Sequence, residues 1–388
     1  MIPRAVGVNK KVSSLWFGPR QSGKSTLIRS ELKNTKYFAV NLLESDIYYK
    51  YSKDPSQLRS DLIYQIEKKK IQFIFIDEVQ KIPQLTNEIH NLIEKYPRVH
   101  FVLSGSSARK LKRGNANLLG GRAIIEHLMP LTKNELKDDF VLEQVLQHGS
   151  LVGMYFDQRE IRIQKLKAYV DTYLREEIAQ EGLVRNFELF HRFIDVSGAY
   201  HAEIINYTNI AREAGSSVKT IQNYFSILYE TLLAFELRAW DKSIKRQLSK
   251  HPKFYFVDNG ITNAIAQRLN DPLDAATRGK LFEQWFINEI RTWIFYTKKE
   301  LSLYYWRTER GEYEVDLIIS KHQKPVLAIE LKAKKKVSRK EVQSLLEFKK
   351  EFVKTRAICV CECSVPYSIE EIDILPYNNF LENLENEL

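Results

Sequence analysis

An α/β fold is what this sequence predicts: a doubly wound parallel-sheet domain first, a helical middle, and a smaller α/β domain at the C-terminus. Three observations carry the prediction. Apolar runs alternate with helix-like stretches as far as Lys137, the pattern of a parallel sheet with helices on both faces. A glycine-rich loop, Gly18-Pro19-Arg20-Gln21-Ser22-Gly23-Lys24-Ser25, joins the first such run to the first helix. Far downstream, two apolar segments flank a turn and carry charges at alternate positions, which reads as a β-hairpin.

In chain order the periodicity gives strand 12–17, helix 22–32, strand 36–42, helix 55–70, strand 71–77, helix 84–96, strand 98–104 and strand 123–129. The loop after the first strand has the chemistry of a phosphate cradle. Gly18 and Gly23 let backbone N–H groups curl around a β-phosphate, Lys24 reaches the β/γ-oxygens, and the Ser25 hydroxyl ligates Mg²⁺. Thr26 continues a helix whose N-terminus faces the anion, so it joins the expected ATP-binding residues. The run Ile71 to Ile76 suits a strand buried on both faces, and it ends in two carboxylates. Asp77 is placed to accept hydrogen bonds from the Mg²⁺ hydration shell, and Glu78 to polarise the attacking water.

The strand ending in Ser104-Gly105-Ser106-Ser107 puts a small polar side chain beside this site, where Ser104 would sense the γ-phosphate; a plain strand-end turn reads the same way. Before the last strand of the domain stands Leu118-Leu119-Gly120-Gly121-Arg122. Arg122 suits either a surface ion pair or an arginine finger reaching a neighbouring subunit's nucleotide.

At 388 residues, 44% of them hydrophobic, the chain divides into 1–138, 139–252 and 253–388. A net charge of +10 favours an acidic partner, DNA foremost. There is no apolar run of membrane-spanning length and no signal peptide, so no membrane partner and a cytoplasmic location are expected. Cys359, Cys361 and Cys363 alternate along one strand face without zinc-site spacing, and read as small core residues.

The middle region reads as helical, of winged-helix or helix-turn-helix type. Tyr207 to Tyr224 holds a short helix, a Gly215 turn, a Ser217 cap and a second helix, with Ala211, Gly215, Val218 and Ile221 as packing positions. The second helix would present Lys219, Thr220, Gln222 and Asn223 outward, to nucleic acid or simply to solvent. Lys242, Lys245, Arg246, Lys250 and Lys253 would extend a phosphate-contacting surface or form a solvated face.

In the third part, Glu314 to Ile319 and Val326 to Lys332 form the hairpin around a turn of Ser320 to Pro325. Pairing centred on Gln323 sets Asp316 opposite Glu330 and Glu314 opposite Lys332, with Val315, Leu317, Ile319, Leu327, Ile329 and Leu331 on the apolar face. Opposed carboxylates repel unless a cation lies between them. A Mg²⁺ or Mn²⁺ held by Asp316 and Glu330, with Lys332 polarising a water and Glu283 as a further acid, is the expected arrangement; an edge hairpin with a solvated charged face is the plainer one.

These motifs, with Phe75-Ile76-Asp77-Glu78-Val79-Gln80, Pro130-Leu131 and Lys253 to Gly260, resemble over nearly the whole length the archaeal and bacterial AAA-like P-loop ATPases that carry a C-terminal domain of unknown function. The resemblance implies a C-terminal domain similar to PD-(D/E)XK restriction-endonuclease-like domains, whose acids and lysine match Glu283, Asp316, Glu330 and Lys332. It also implies Arg122 as a finger acting in trans, hence a homo-oligomer through the ATPase domain. The chain departs from the family at Leu174-Arg175-Glu176-Glu177-Ile178, where Arg-Asp is usual, which puts any role for that acid in doubt. The expectation is a Mg²⁺-dependent, DNA-associated ATPase whose nucleotide state controls a metal-dependent nuclease. Its rival is an ATP-dependent switch binding DNA or a protein partner, with a silent nuclease-like domain.

Overall fold

The computed structural model describes residues 2–106, 119–178, 184 and 186–388, so Ser107 and Leu118 lie outside it. Five strands, β1 (Ser13–Phe17), β2 (Tyr37–Asn41), β3 (Phe73–Asp77), β4 (His100–Gly105) and β5 (Ala123–His127), form a sheet in the order β2-β3-β4-β1-β5. Every pairing in it is parallel. Alternation along the central strands sends Leu15, Phe17, Ile74, Ile76 and Leu103 into one core and Trp16, Phe75 and Val102 into another. A sheet with two apolar faces needs helices on both. This is the expected doubly wound arrangement. The helix Ser45–Lys53 went unpredicted, because its apolar face is short: only Tyr51 of its nine residues is buried, with Ile47 and Tyr48 packed beside it against the core.

The remaining strands, β6 (Glu203–Ile204), β7 (Ala234–Ala239), β8 (Lys253–Phe256), β9 (Leu301–Arg307), β10 (Glu314–Lys321), β11 (Lys324–Lys332), β12 (Arg356–Cys361), β13 (Tyr367–Ile369) and β14 (Ile372–Pro376), join in a single nine-stranded sheet. β7 pairs with β8 on one side and β9 on the other. The boundary expected at 252/253 therefore falls inside a continuous sheet. One apolar core runs across it from Met129 to Leu384. Helix Ala275–Thr297, capped by Asp274, lies against this sheet and carries Glu283.

The hairpin has the expected register, with Leu317 opposite Ile329 and Ile319 opposite Leu327. Its turn is tighter than predicted: His322 and Gln323 both adopt left-handed φ, 49° and 61°, as a two-residue hairpin turn requires. The pairing of β10 with β9 slips between Val315 and Ile318. That bulge turns Val315 to the opposite face, where it packs with Ile318 and Ala328 rather than with Leu317 and Ile319.

Helices Tyr207–Glu213 and Val218–Glu230 are joined across Gly215, whose φ is 67°. Ile210, Ala211, Ala214 and Ile221 are buried, whereas Gly215 and Val218 are exposed, so those two are not packing positions. Lys219 and Gln222 face solvent. The three cysteines are buried in one core, as expected. Among the described residues no helix is long and apolar enough to cross a membrane.

Candidate functional site

The loop after β1 is shaped by its two motif glycines for different reasons. A Cβ on Gly18 would lie 2.1 Å from the Leu128 carbonyl oxygen, and Gly23 holds a left-handed φ of 87°. Helix Lys24–Leu32 starts directly after it, two residues later than predicted. Lys24 is 7% exposed and folds back on the loop, donating to the carbonyls of Gly18 at 2.8 Å and Pro19 at 2.9 Å. Burial lowers its pKa to about 8, with Glu78 and Asp77 opposing the shift and Arg20 adding to it. The Ser25 hydroxyl donates to Asp77 Oδ1 at 2.8 Å, joining the loop to the tip of β3.

A cavity of about 460 Å³ opens over this loop, lined among others by Arg4, Arg20, Lys24, Ser25, Thr26 and Glu78. Its size suits a nucleotide. Glu78 takes a left-handed φ of 60°, and its carboxylate accepts from Gln80 Nε2, which also donates to Ser106 Oγ at 3.0 Å. Ser104 does not line the cavity: it is 1% exposed and its hydroxyl donates to Asp77, so it orients that carboxylate from behind. Arg122 is also outside the cavity, on the exposed face of helix Leu85–Lys95, where its Nε donates to Glu94 Oε1 at 2.9 Å.

Sequence reasoning missed the groups that close the cavity. Arg4 donates to Ser22 O at 2.9 Å, Met129 O at 2.6 Å, Glu135 Oε1 at 2.9 Å and Tyr296 Oη at 3.1 Å. The short helix Val152–Tyr155 rests on the loop: Gly153 N donates to Gln21 O at 3.2 Å, and a Cβ on Gly153 would lie 2.1 Å from Gln21 Oε1. The Arg20 guanidinium stacks 4.6 Å from the Tyr173 ring centroid. The segment leading to Val152 is held in turn by Asp258, which accepts from Ser150 N at 2.7 Å and caps helix Asn259–Ile265 through Gly260 N at 2.8 Å. Burial raises the Asp258 pKa to about 6 against the pull of these N–H donors.

The acidic residues of the C-terminal sheet do come together, but around a lysine that sequence reasoning assigned to an exposed basic surface. Lys253 is 3% exposed, and its Nζ lies 2.9 Å from Glu283, 2.7 Å from Glu314 and 3.9 Å from Asp316. Tyr255 donates to Glu283 at 2.6 Å. Burial opposes the ammonium charge, yet Glu283, Tyr255, Asp316 and Glu314 outweigh it and hold the Lys253 pKa well above its usual range. Asp316 Oδ2 accepts from Leu331 N at 2.8 Å, and Lys332 Nζ donates to Glu330 Oε1 at 2.6 Å. Burial, reinforced by Asp316, pushes the Glu330 pKa upward. Asp316 and Glu330 thus do not share a metal position as expected. With the ammonium among the carboxylates the set does not fit one: among the described residues, no three His, Cys, Asp or Glu side chains are disposed to hold a metal ion.

The parallel sheet order, the buried loop lysine and the strand-tip carboxylate on the loop serine define a P-loop ATPase domain. Residues 11–137 match the family model described as AAA domain, which makes this domain AAA-like. Residues 143–272 and 278–380 match two domains of unknown function, DUF8612 and DUF4143. An uncharacterized protein of Haemophilus influenzae is 23% identical over 268 residues, or 63% of this chain; the chain spans 66% of that relative's length. Among solved structures, the replication initiator DnaA bound to AMPPCP and single-stranded DNA aligns at 13% identity and TM-score 0.30, covering 58% of this chain and 84% of that one. Domain III of Thermotoga maritima DnaA aligns at 15% identity and TM-score 0.24, covering 42% and 77%. A DNA replication initiation factor aligns at 14% and 0.25, covering 57% and 83%.

Proposed function

We propose that the protein is a Mg²⁺-dependent, DNA-associated cytoplasmic ATPase whose nucleotide state controls its C-terminal, nuclease-like domain. Lys24, Ser25 and Asp77 would hold MgATP, the metal supplying charge neutralisation at the β- and γ-phosphates. Glu78, oriented by Gln80, is the base that positions the attacking water. Arg122 serves a neighbouring subunit's nucleotide, a role that fits its exposed position away from its own cavity.

The observation that carries the control is the seating of Val152 and Gly153 on the phosphate loop, while Asp258 grips the segment just before them. Asp258 lies five residues after Lys253, so the cover of one site is tied to the strand that serves the other. Binding of DNA draws support from the net charge of +10 and from exposed Lys219, Lys335, Lys336 and Lys340. A second reading, an ATP-dependent binding switch with a silent C-terminal domain, is favoured by Lys253 standing among the acids. Incubating the full chain with single- and double-stranded DNA, Mg²⁺ or Mn²⁺, with and without ATP, separates them. Cleavage that depends on nucleotide supports control of a nuclease. Binding that depends on nucleotide without cleavage selects the switch, and neither response overturns both.

A further inference from the structure

Helix Ala275–Thr297 turns Arg291, Ile294 and Phe295 to one side, since positions three and four apart share a helix face. That side meets Phe235 and Leu237 of β7 and Leu301 and Leu303 of β9 around a cavity of about 190 Å³. Arg291 is the cation in its wall and Glu236 the acid. Alternation along β7 turns Glu236 to the opposite face from Phe235 and Leu237, and there it accepts from Arg238 Nε at 2.7 Å. The guanidinium is thus left with aromatic company alone: its Cζ lies 4.4 Å from the Phe235 ring centroid and 4.7 Å from that of Phe295. Among the described residues Arg291 forms no ion pair and no hydrogen bond, and its Nη1 is closed off from solvent. Burial pushes its pKa down to about 10 with no carboxylate resisting. His127, stacked on Phe295 at 4.5 Å, has its pKa lowered to about 4 by burial, Arg291 and Lys298, so it stays neutral at neutral pH and does not compete as a cation.

We infer that this cavity binds a small carboxylic acid with a flat apolar body, of about the size of benzoate, its carboxylate on Arg291 and its ring against the apolar wall. A guanidinium drawn out of water is unfavourable without an anion, and its planar fork receives a carboxylate through two parallel hydrogen bonds. The rings of Phe235 and Phe295 hold that fork in position but supply no acceptor for it. Size sets the body of the ligand: an apolar cavity of about 150 Å³ accommodates benzene, so this one has room for a ring and its carboxylate. A phosphate ester fits less well, because a single guanidinium leaves part of its charge unmatched beside apolar side chains. The cavity shares no lining residue with the one over the phosphate loop.

The test is binding of benzoate and of its neutral counterpart benzamide to the full chain, read by ligand-observed NMR at neutral pH. Benzoate is expected to bind at least about tenfold more tightly than benzamide, which keeps the shape and lacks the charge. Arg291→Met should bring benzoate down to the affinity of benzamide and leave benzamide unchanged. Lys24→Ala should alter neither, which places the binding away from the phosphate loop. Equal affinity for the two compounds, or no benzoate binding at millimolar concentration, overturns the inference in the unsubstituted protein and so does not depend on how any variant folds. Undiminished benzoate binding in Arg291→Met overturns it too, as does loss of that binding in Lys24→Ala. A preference for N-acetylphenylalanine over benzoate overturns the small occupant in favour of a protein chain end, whose amide reaches beyond the cavity.

Discussion

Nucleotide affinity should fall about tenfold between pH 7 and pH 9, through the protonation of Lys24. Burial brings its pKa down from 10.5 to about 8, with Glu78 and Asp77 resisting and Arg20 assisting. A shift of that size corresponds to roughly 3 kcal/mol of disfavour for the ammonium before nucleotide arrives. Phosphate oxygens beside the amine remove that disfavour, so the bound complex keeps its proton to a higher pH than the free protein. Well below pH 8 the free protein already carries the charge and binding takes up almost no proton. Above it, binding must take one up, and the dissociation constant rises with pH. The charged fraction of the free protein falls from about nine-tenths at pH 7 to about one-tenth at pH 9, which sets the tenfold change and an uptake of about 0.9 proton per nucleotide at pH 9. Phosphate second ionisations, near pH 6, are complete in this range and do not contribute.

Calorimetric titration of MgATP at pH 7, 8 and 9, in buffers of different ionisation enthalpy, reads both quantities. Lys24→Arg does not titrate here and should show a flat profile at weaker overall affinity, because a planar guanidinium does not match the ammonium's place in the loop. A flat profile with no proton uptake in the unsubstituted protein would refute the argument, since Lys24 would then be fully charged before binding.

Glu78→Gln should keep ATP affinity within a factor of about three and lose turnover by about 10² or more, whereas Lys24→Ala should lose binding; equal binding in both removes the division of labour. Gln80→Ala should slow turnover about tenfold at unchanged affinity, because Glu78 loses the amide that orients it; steady-state kinetics reads this, and a rise in KM alone speaks against it. Mixing inactive Arg122→Ala and Lys24→Ala subunits should restore part of the hydrolysis if Arg122 acts in trans, and no recovery at any ratio makes it the surface partner of Glu94 alone. Gly18→Ala should cost about 1–3 kcal/mol in urea unfolding, since its methyl would meet the Leu128 carbonyl at 2.1 Å; an unchanged midpoint contradicts the close approach.

The parts of the molecule legible in the sequence are those written in neighbouring residues. β1 and β3 are buried along their whole lengths, and so show apolar runs at Leu15 to Phe17 and Phe73 to Ile76. The phosphate loop is visible because its requirements, two special glycine positions and a lysine, lie within eight residues. The hairpin register followed from alternation for the same reason. Lys253 was illegible because its partners are 30 and 63 positions away at Glu283 and Asp316, and a lysine among Lys250, His251 and Pro252 looks solvated. The bulge that reverses Val315 depends on β9, which no pattern within the hairpin encodes. Arg4 was passed over in an N-terminal stretch with no periodicity, although four hydrogen bonds fix it over the loop.

Two separate connections run from the phosphate loop to the acidic site, and they end on the two halves of one ion pair. The first passes from Gln21 to Gly153, through Ser150 to Asp258, and back along β8 to Lys253. The second passes from Ser22 through Arg4 to Tyr296, and along helix Ala275–Thr297 to Glu283. Neither has much slack: Gly149 leaves no room for a Cβ against Asp258, and the Arg4–Glu135 pair is almost fully buried. A rearrangement of the loop that moved both connections equally would carry Lys253 and Glu283 together and leave the acidic site unchanged. Any unequal movement acts instead on the 2.9 Å contact between them. Because both charges are largely buried, a small separation there weighs heavily. On the proposed reading, the nucleotide therefore need not push on the C-terminal domain as a whole; it has only to shift one connection relative to the other.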